Sequence, residues 1–385
     1  MIRIWVLSIF LFGFASCEAQ KSKSRAITGA EQLNELLPLV KNQRVGLVVN
    51  NTSLINQTHL ADTLVRMGVQ VKKIFGPEHG FRGDAADGEQ VNDAIDTKTG
   101  IPVVSLYGKN YKATPEQVKE LDLLIFDIQD VGARFYTYIS TLHYLMETCA
   151  ENNKKLIVLD RPNPNGSYVD GPIRQADLKS FVGMHPIPIT HGMTIGELAQ
   201  MINGEGWLEG GKKCDLQIIR LKNWKHDDDF SLPLRPSPNL PNDQAIRLYP
   251  SLCLFEGTVI SVGRGTPTPF QILGNPALKD MPFTFTPVPI KGFSIDPPLK
   301  NQLCYGIDLR SVTPARKVDL SYLLKLYQQY PDKEKFFIAY FDKLAGTPQL
   351  KQQIKDGLTE DQIRESWKPG LDAFNAKRKM YLLYD

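Results

Sequence analysis

The stretch Leu121-Asp122-Leu123-Leu124-Ile125-Phe126-Asp127-Ile128-Gln129-Asp130-Val131-Gly132 decides the fold. Its apolar run shows no polar alternation, as expected of a strand covered on both faces, and it ends in carboxylates and an amide. Outward from it the same design recurs at residues 45–49, 69–75, 101–107 and 155–159. Amphipathic segments lie between these runs at 59–67, 115–121 and 137–152, and a helix at 194–203 with a strand at 216–221 extends the series. Near-continuous apolar strands separated by helices predict a mostly parallel sheet with helices on both faces, a Rossmann-like α/β domain over residues 26–248. Beyond it the pattern changes. Residues 262–298 are rich in Gly, Pro and Phe with poor helical periodicity, and helical segments follow at 320–330 and 362–378. Residues 249–385 therefore read as a smaller α+β domain.

The chain's beginning reads as a targeting segment. Arg3 precedes an apolar run over residues 4–14, which is too short to span a bilayer comfortably. The run closes on Phe14-Ala15-Ser16-Cys17, which resembles a bacterial lipobox with Phe where Leu is usual. Residues 1–16 are thus expected to be a lipoprotein-type signal peptide, with Cys17 the lipid-modified end and 17–25 a polar linker; ordinary cleavage near Ala19 is the alternative. Both readings place the protein outside the cytoplasm, in the periplasm or cell envelope, with a lipid anchor as its membrane contact. The net charge of +3 offers no basic field for nucleic acid. Cys149, Cys214, Cys253 and Cys304 form no C-x-x-C pair, so neither a zinc ribbon nor a thioredoxin-type site is indicated.

In an open parallel sheet, ligands bind beyond the carboxyl ends of the strands. Three such ends carry unusual residues: Gly76-Pro77-Glu78-His79-Gly80-Phe81-Arg82-Gly83, then Asp127-Ile128-Gln129-Asp130-Val131-Gly132-Ala133-Arg134-Phe135-Tyr136, then Asp160-Arg161-Pro162-Asn163-Pro164-Asn165-Gly166. The first strand ends in Asn50-Asn51-Thr52 without a G-x-G-x-x-G loop, so no dinucleotide cofactor is expected. A phosphate-binding loop, a G-x-S-x-G elbow and an H-E-x-x-H helix are also absent, so no metal is expected. Carboxylate chemistry among Arg, Asn, His and Tyr remains, and it suits cleavage of a glycosidic bond. Glu78 is the best acid. It follows an apolar strand in a glycine-flanked loop, where burial would raise its pKa toward neutrality; pairing with Arg82 is the plainer alternative. Asp127 or Asp130 would supply a second carboxylate or merely cap the next helix. Asp160 with Arg161 reads as an ion pair fixing a turn, Glu197 as the partner of Thr194 in a capping box, and His191 as a site or loop histidine. Ser237 and Asn239 sit on the proline-fixed turn Arg235-Pro236-Ser237-Pro238-Asn239-Leu240-Pro241. Glu256 and Arg264 lie in Leu254-Phe255-Glu256-Gly257-Thr258 and Gly263-Arg264-Gly265-Thr266.

Six of these segments in order, Gly76-Pro77-Glu78-His79-Gly80, Asp127 to Arg134, Asp160 to Pro164, His191-Gly192-Met193-Thr194, Pro236-Ser237-Pro238-Asn239 and Gly263-Arg264-Gly265-Thr266, resemble the exo-acting β-N-acetylmuramidases of the NamZ type from Arg44 to Tyr384. The resemblance implies a glycosidase that releases N-acetylmuramic acid (MurNAc) from the non-reducing ends of peptidoglycan fragments, acting on MurNAc-GlcNAc saccharides. It implies a site in the cleft between the two domains, with Glu78 as the catalytic glutamate. Asp127 is the expected second carboxylate, and the expected sugar-binding set is His79, Arg82, Arg134, Asn163, His191, Ser237, Asn239, Glu256 and Arg264. Val259 departs from the family pattern, which has Asn there.

MurNAc differs from GlcNAc by a lactyl ether ending in a carboxylate, so selectivity needs a cation, ideally a planar guanidinium. Arg134 and Arg161 have aspartates nearby as structural partners. Arg264 is flanked by glycines with no acid within seven residues, which makes it the first choice, with Arg82 second. Two other functions fit less of the pattern. A lipid-anchored muropeptide-binding protein would keep the arginines and amides without needing Glu78, and an ester or amide hydrolase lacks its nucleophile or metal cluster.

Overall fold

A computed structural model describes residues 25–83, 93–108 and 110–385; the expected signal peptide and Cys17 lie outside the described residues. The larger sheet holds seven strands: β1 (Arg44–Val49), β2 (Gln70–Gly76), β3 (Ala94–Ile95), β4 (Pro102–Ser105), β5 (Leu123–Asp127), β6 (Lys155–Leu159) and β7 (Asp215–Ile219). Their spatial order is β3-β4-β2-β1-β5-β6-β7. All neighbours pair in parallel except β3 with β4. From β1 the chain builds first toward β2 and β4, then returns to the other side for β5, β6 and β7. The direction of winding therefore switches between β1 and β5.

The expected double coverage shows in the side chains. Val45, Leu47 and Val49 of β1, with Leu123 and Ile125 of β5, enter one apolar layer. Val48, Leu124 and Phe126 enter the other. The period of two along a strand thus splits a single apolar run between two cores. Helices α1 (Leu33–Val40) and α2 (Leu60–Arg66) cover the first layer. Helices α3 (Tyr138–Glu151) and α4 (Ile195–Gly204) cover the second, and α3 is buried along almost its whole length. Helix α4 opens with the Thr194–Glu197 capping box anticipated from the sequence.

The second unit begins along helix α5 (Asp243–Leu252), so the expected boundary at 248/249 falls inside a helix. A three-stranded antiparallel sheet follows, made of β8 (Ile272–Asn275), β9 (Phe283–Phe285) and β10 (Cys304–Asp308) in the order β8-β10-β9. Helices α6 (Ser321–Gln329), α7 (Phe341–Ala345), α8 (Gln349–Lys355) and α9 (Glu360–Arg378) complete it. Leu320, Leu323, Phe336 and Phe341 share one apolar layer with β5 and α3, so the two units share a core.

The chain end returns to the first unit. Arg378 Nη2 donates to Gly192 O at 2.8 Å, and the Tyr384 hydroxyl donates to Asp160 Oδ2 at 2.6 Å. Asp160 lies under the start of α4. Its Oδ1 accepts the Gly196 N–H at 2.8 Å and its Oδ2 the Thr194 hydroxyl at 2.7 Å. Complete burial, with the Glu197 charge adding to it, pushes its carboxyl up to about 6 despite those hydrogen bonds. The four described cysteines are buried free thiols.

Candidate active site

The turn after β2 sets the site. Gly80 N donates to Pro77 O at 2.9 Å, and between them His79 adopts φ 68°, a left-handed conformation that costs a non-glycine residue about 1–2 kcal/mol. His79 Nε2 lies 3.3 Å from Ser237 Oγ, which ties the strained turn to the proline-rich segment. The turn carries Glu78 to the N-terminus of α3. There the Thr137 hydroxyl donates to Glu78 Oε2 at 3.1 Å and the Tyr138 hydroxyl to Glu78 O at 3.4 Å. The expected pairing alternative for Glu78 does not form, because Arg82 is engaged elsewhere.

Glu78 is half-buried on the wall of a cleft of about 390 Å³ lined by both units. From the first unit come Glu78, His79, Thr137, Tyr138, Ser237 and Asn239; from the second come Tyr249, Glu256, Arg264, Phe270 and Tyr340. The floor is a chain of edge-to-face rings: Phe135 to Tyr249 at 5.2 Å, then Tyr249 to Phe270 at 5.0 Å. The Arg264 guanidinium lies 5.2 Å above the Phe270 ring. Glu256 sits on the short turn Cys253–Gly257 that follows α5 and accepts Arg264 Nε at 2.5 Å. Among the described lining residues, Glu78 and Glu256 are the carboxylates and Arg264 is the one Lys or Arg.

Six expected site residues therefore meet in this cleft: Glu78, His79, Ser237, Asn239, Glu256 and Arg264. Five others serve the framework. Asp127 is fully buried and holds Arg161 bidentately, Nε to Oδ1 at 2.6 Å and Nη2 to Oδ2 at 2.9 Å, so it does not reach the cleft as a second carboxylate. Arg161 thus pairs through its side chain with Asp127, where Asp160 was expected. Arg82 grips Asp96 through Nε and Nη2, both at 2.9 Å, and reaches Asp62 at 3.2 Å. Those bonds pull Asp96 down to about 2 against the opposing effect of its burial.

Arg134 has no aspartate partner among the described residues. It is fully buried and donates to four carbonyls: Pro172 and Ile187 from Nη1, Leu344 and Ala345 from Nη2. Asn163 fixes its own turn, donating to Met193 O and accepting from Asn165 N. His191 is buried, with Nδ1 accepting the Met193 N–H and Nε2 3.7 Å from Asp130 Oδ2. Arg264, expected to stand clear of acids, has one as its partner. An acid eight residues upstream, Glu256, folds back onto it. Val259 lies off the cleft, with its N–H on Phe336 O and its carbonyl on Asn275 Nδ2.

Sequence reasoning missed Thr137, Tyr138, Tyr107, Tyr111, Phe181 and Tyr340. Thr137 and Tyr138 directly follow a quoted motif, and the two-residue extension would have found them. Among the described residues no cluster of His, Cys, Asp and Glu is arranged to hold a metal ion.

Residues 45–244 match the N-terminal domain of the exo-β-N-acetylmuramidase NamZ family and residues 247–384 its C-terminal domain. The peptidoglycan β-N-acetylmuramidase NamZ of Bacillus subtilis is 39% identical, over 99% of this chain and 98% of that protein. Two crystal structures of DUF1343 family proteins from Bacteroides fragilis superpose with TM-scores of 0.88 and 0.79, at 44% and 31% identity. Each covers 94% of this chain and 99% of its own. This chain belongs to the exo-β-N-acetylmuramidase NamZ family.

Proposed function

We propose that this protein hydrolyses the β-glycosidic bond of a non-reducing terminal MurNAc in peptidoglycan fragments, with Glu78 as the general acid. The observation that carries this reading is the placement of Glu78. It stands on a cleft between two units, oriented by the Thr137 hydroxyl, on a turn held in a strained conformation by Ser237. The reading draws further support from the B. subtilis relative. In the reaction, the Glu78 carboxyl gives its proton to the glycosidic oxygen as the bond to the anomeric carbon breaks; water supplies the hydroxyl of the released MurNAc, and the water's other proton restores the Glu78 carboxyl for the next turnover. Arg264 takes the lactyl carboxylate, with Glu256 on Nε fixing the plane of the guanidinium. Ser237 and Asn239 supply polar contacts to sugar hydroxyls.

The protein acts outside the cytoplasm in turnover and recycling of the cell wall, tethered by lipid at Cys17. The apolar run ending in Phe14-Ala15-Ser16-Cys17 supports that reading, and a Cys17→Ala protein that stays membrane-bound would overturn the tether. The reaction is tested with a chromogenic β-MurNAc glycoside beside its β-GlcNAc counterpart. Release from the first alone is expected, and release from neither, by folded protein, refutes the assignment.

A further inference from the structure

One side of the cleft is aromatic. Tyr144, Phe181 and Tyr111 form a stack of three rings. Tyr144 lies 6.4 Å from Phe181 at an interplanar angle of 14°, and Phe181 lies 4.3 Å from Tyr111 at 39°. The stack is anchored at its middle, where the Ser140 hydroxyl donates to Phe181 O at 2.6 Å. Phe181, Val182 and Tyr111 line the cleft, and Tyr111, at the end of the stack, is 36% exposed as a residue. The floor rings, with Arg264 over Phe270, are enclosed: Phe135 is 2% exposed, Phe270 1% and Tyr249 7%.

An enzyme that takes only the terminal sugar needs a blind end for that sugar and an open end for what it leaves behind. The blind end is the enclosed side, which also carries Arg264 for the one acidic substituent. The open side then receives the sugar beyond the scissile bond. That sugar is neutral, and the axial C–H face of a pyranose is apolar, suited to an aromatic ring. The helix supplies the spacing. Thr137, which holds Glu78, and Tyr144, which backs the stack, are seven residues apart on α3. Seven residues are two turns, so both lie on one face, about 10 Å apart along the axis. The residue that orients Glu78 and the residue that backs the stack are thus set by one rigid helix, and Phe181 and Tyr111 carry the stack from there to the cleft wall.

We infer that the Tyr144–Phe181–Tyr111 stack is the binding platform for the leaving sugar, an N-acetylglucosamine-type pyranose. This rests on the glycosidase reading above and extends it to the leaving side of the bond. The test compares two substrates that share MurNAc: the β-1,4-linked MurNAc-GlcNAc disaccharide, and β-MurNAc fluoride, whose leaving group is a single atom. For Tyr111→Ala, KM for the disaccharide should rise about tenfold, the size of one good aromatic contact, with kcat/KM for the fluoride unchanged. Tyr111→Phe keeps the ring and should restore the disaccharide KM. An equal loss on both substrates, an unchanged disaccharide KM, or failure of Phe to rescue would overturn the platform. Wild-type protein inert toward both substrates would instead remove the glycosidase reading, and the platform with it.

Discussion

Replacing Arg134 by Met removes the donor that ties the two units together beneath the cleft. The guanidinium is fully buried and bonds Pro172 O at 2.8 Å, Ile187 O at 2.7 Å, Leu344 O at 2.9 Å and Ala345 O at 2.7 Å. Ile187 O also accepts the Arg174 N–H at 3.3 Å, so the substitution strips a donor chiefly from the other three. Each stranded carbonyl costs about 1–3 kcal/mol, roughly 3–9 in all. Several kcal/mol return because Met buries no charge; that burial already pulls the Arg134 pKa down. The net loss is about 3–5 kcal/mol. With an unfolding entropy of about 2.1 cal/mol/K per residue over 385 residues, Tm should fall by about 4–6 °C. Leu344 and Ala345 follow Tyr340, which lines the cleft, so KM should rise as well. Arg134→Lys should rescue little, because one ammonium cannot serve two pairs of carbonyls. Thermal unfolding and steady-state kinetics on the same preparations decide the matter. A variant with wild-type Tm and lost activity would return Arg134 to the substrate and refute the tie.

Asp127→Asn should cost about 3–5 kcal/mol of stability by breaking its buried pair with Arg161, while the folded fraction keeps kcat within about twofold. A hundredfold loss of kcat at unchanged Tm would make Asp127 catalytic after all. Asp160, raised to about 6 in the fold from an ordinary 3.8, contributes stability that is fully present below about pH 4 and is lost as pH rises through about 6. Two pKa units correspond to about 3 kcal/mol, so wild-type stability should decline across that window more steeply than that of Asp160→Asn; parallel slopes would contradict the shift. Arg264→Ala should lower kcat/KM on MurNAc glycosides by about tenfold, the lower end for a charge-assisted contact because Glu256 already neutralises the cation. An equal loss on a GlcNAc glycoside would separate Arg264 from selectivity.

The sheet was legible because its central strands β1, β5 and β6 are near-uniform apolar runs, and the alternation of Val45, Leu47 and Val49 against Val48 follows once both faces are covered. The three small strands β8, β9 and β10 were not, because β8 is interrupted by Gly274 and β9 has only three residues. Within the site, Glu78 was legible from its position after a strand. Asp127 and Arg134 were misread because a strand-end motif announces polar side chains without saying which way they turn; these two turn inward, to Arg161 and to four carbonyls. Glu256 on Arg264 escaped because a turn, Cys253–Gly257, closes an eight-residue gap that sequence distance leaves open. The aromatic stack joins Tyr111, Tyr144 and Phe181, seventy residues from end to end of the sequence it spans. No local pattern could have assembled it.

The role of Glu78 as the general acid is tested most directly by the turnover of Glu78→Gln on the MurNAc-GlcNAc disaccharide. Gln keeps the shape and can still accept the Thr137 hydroxyl, but it has no proton to give to the leaving oxygen. A fall in kcat of at least about 100-fold is expected, with KM and Tm close to wild type. Turnover near wild type in that variant would remove Glu78 from the chemistry and contradict the mechanism at its centre.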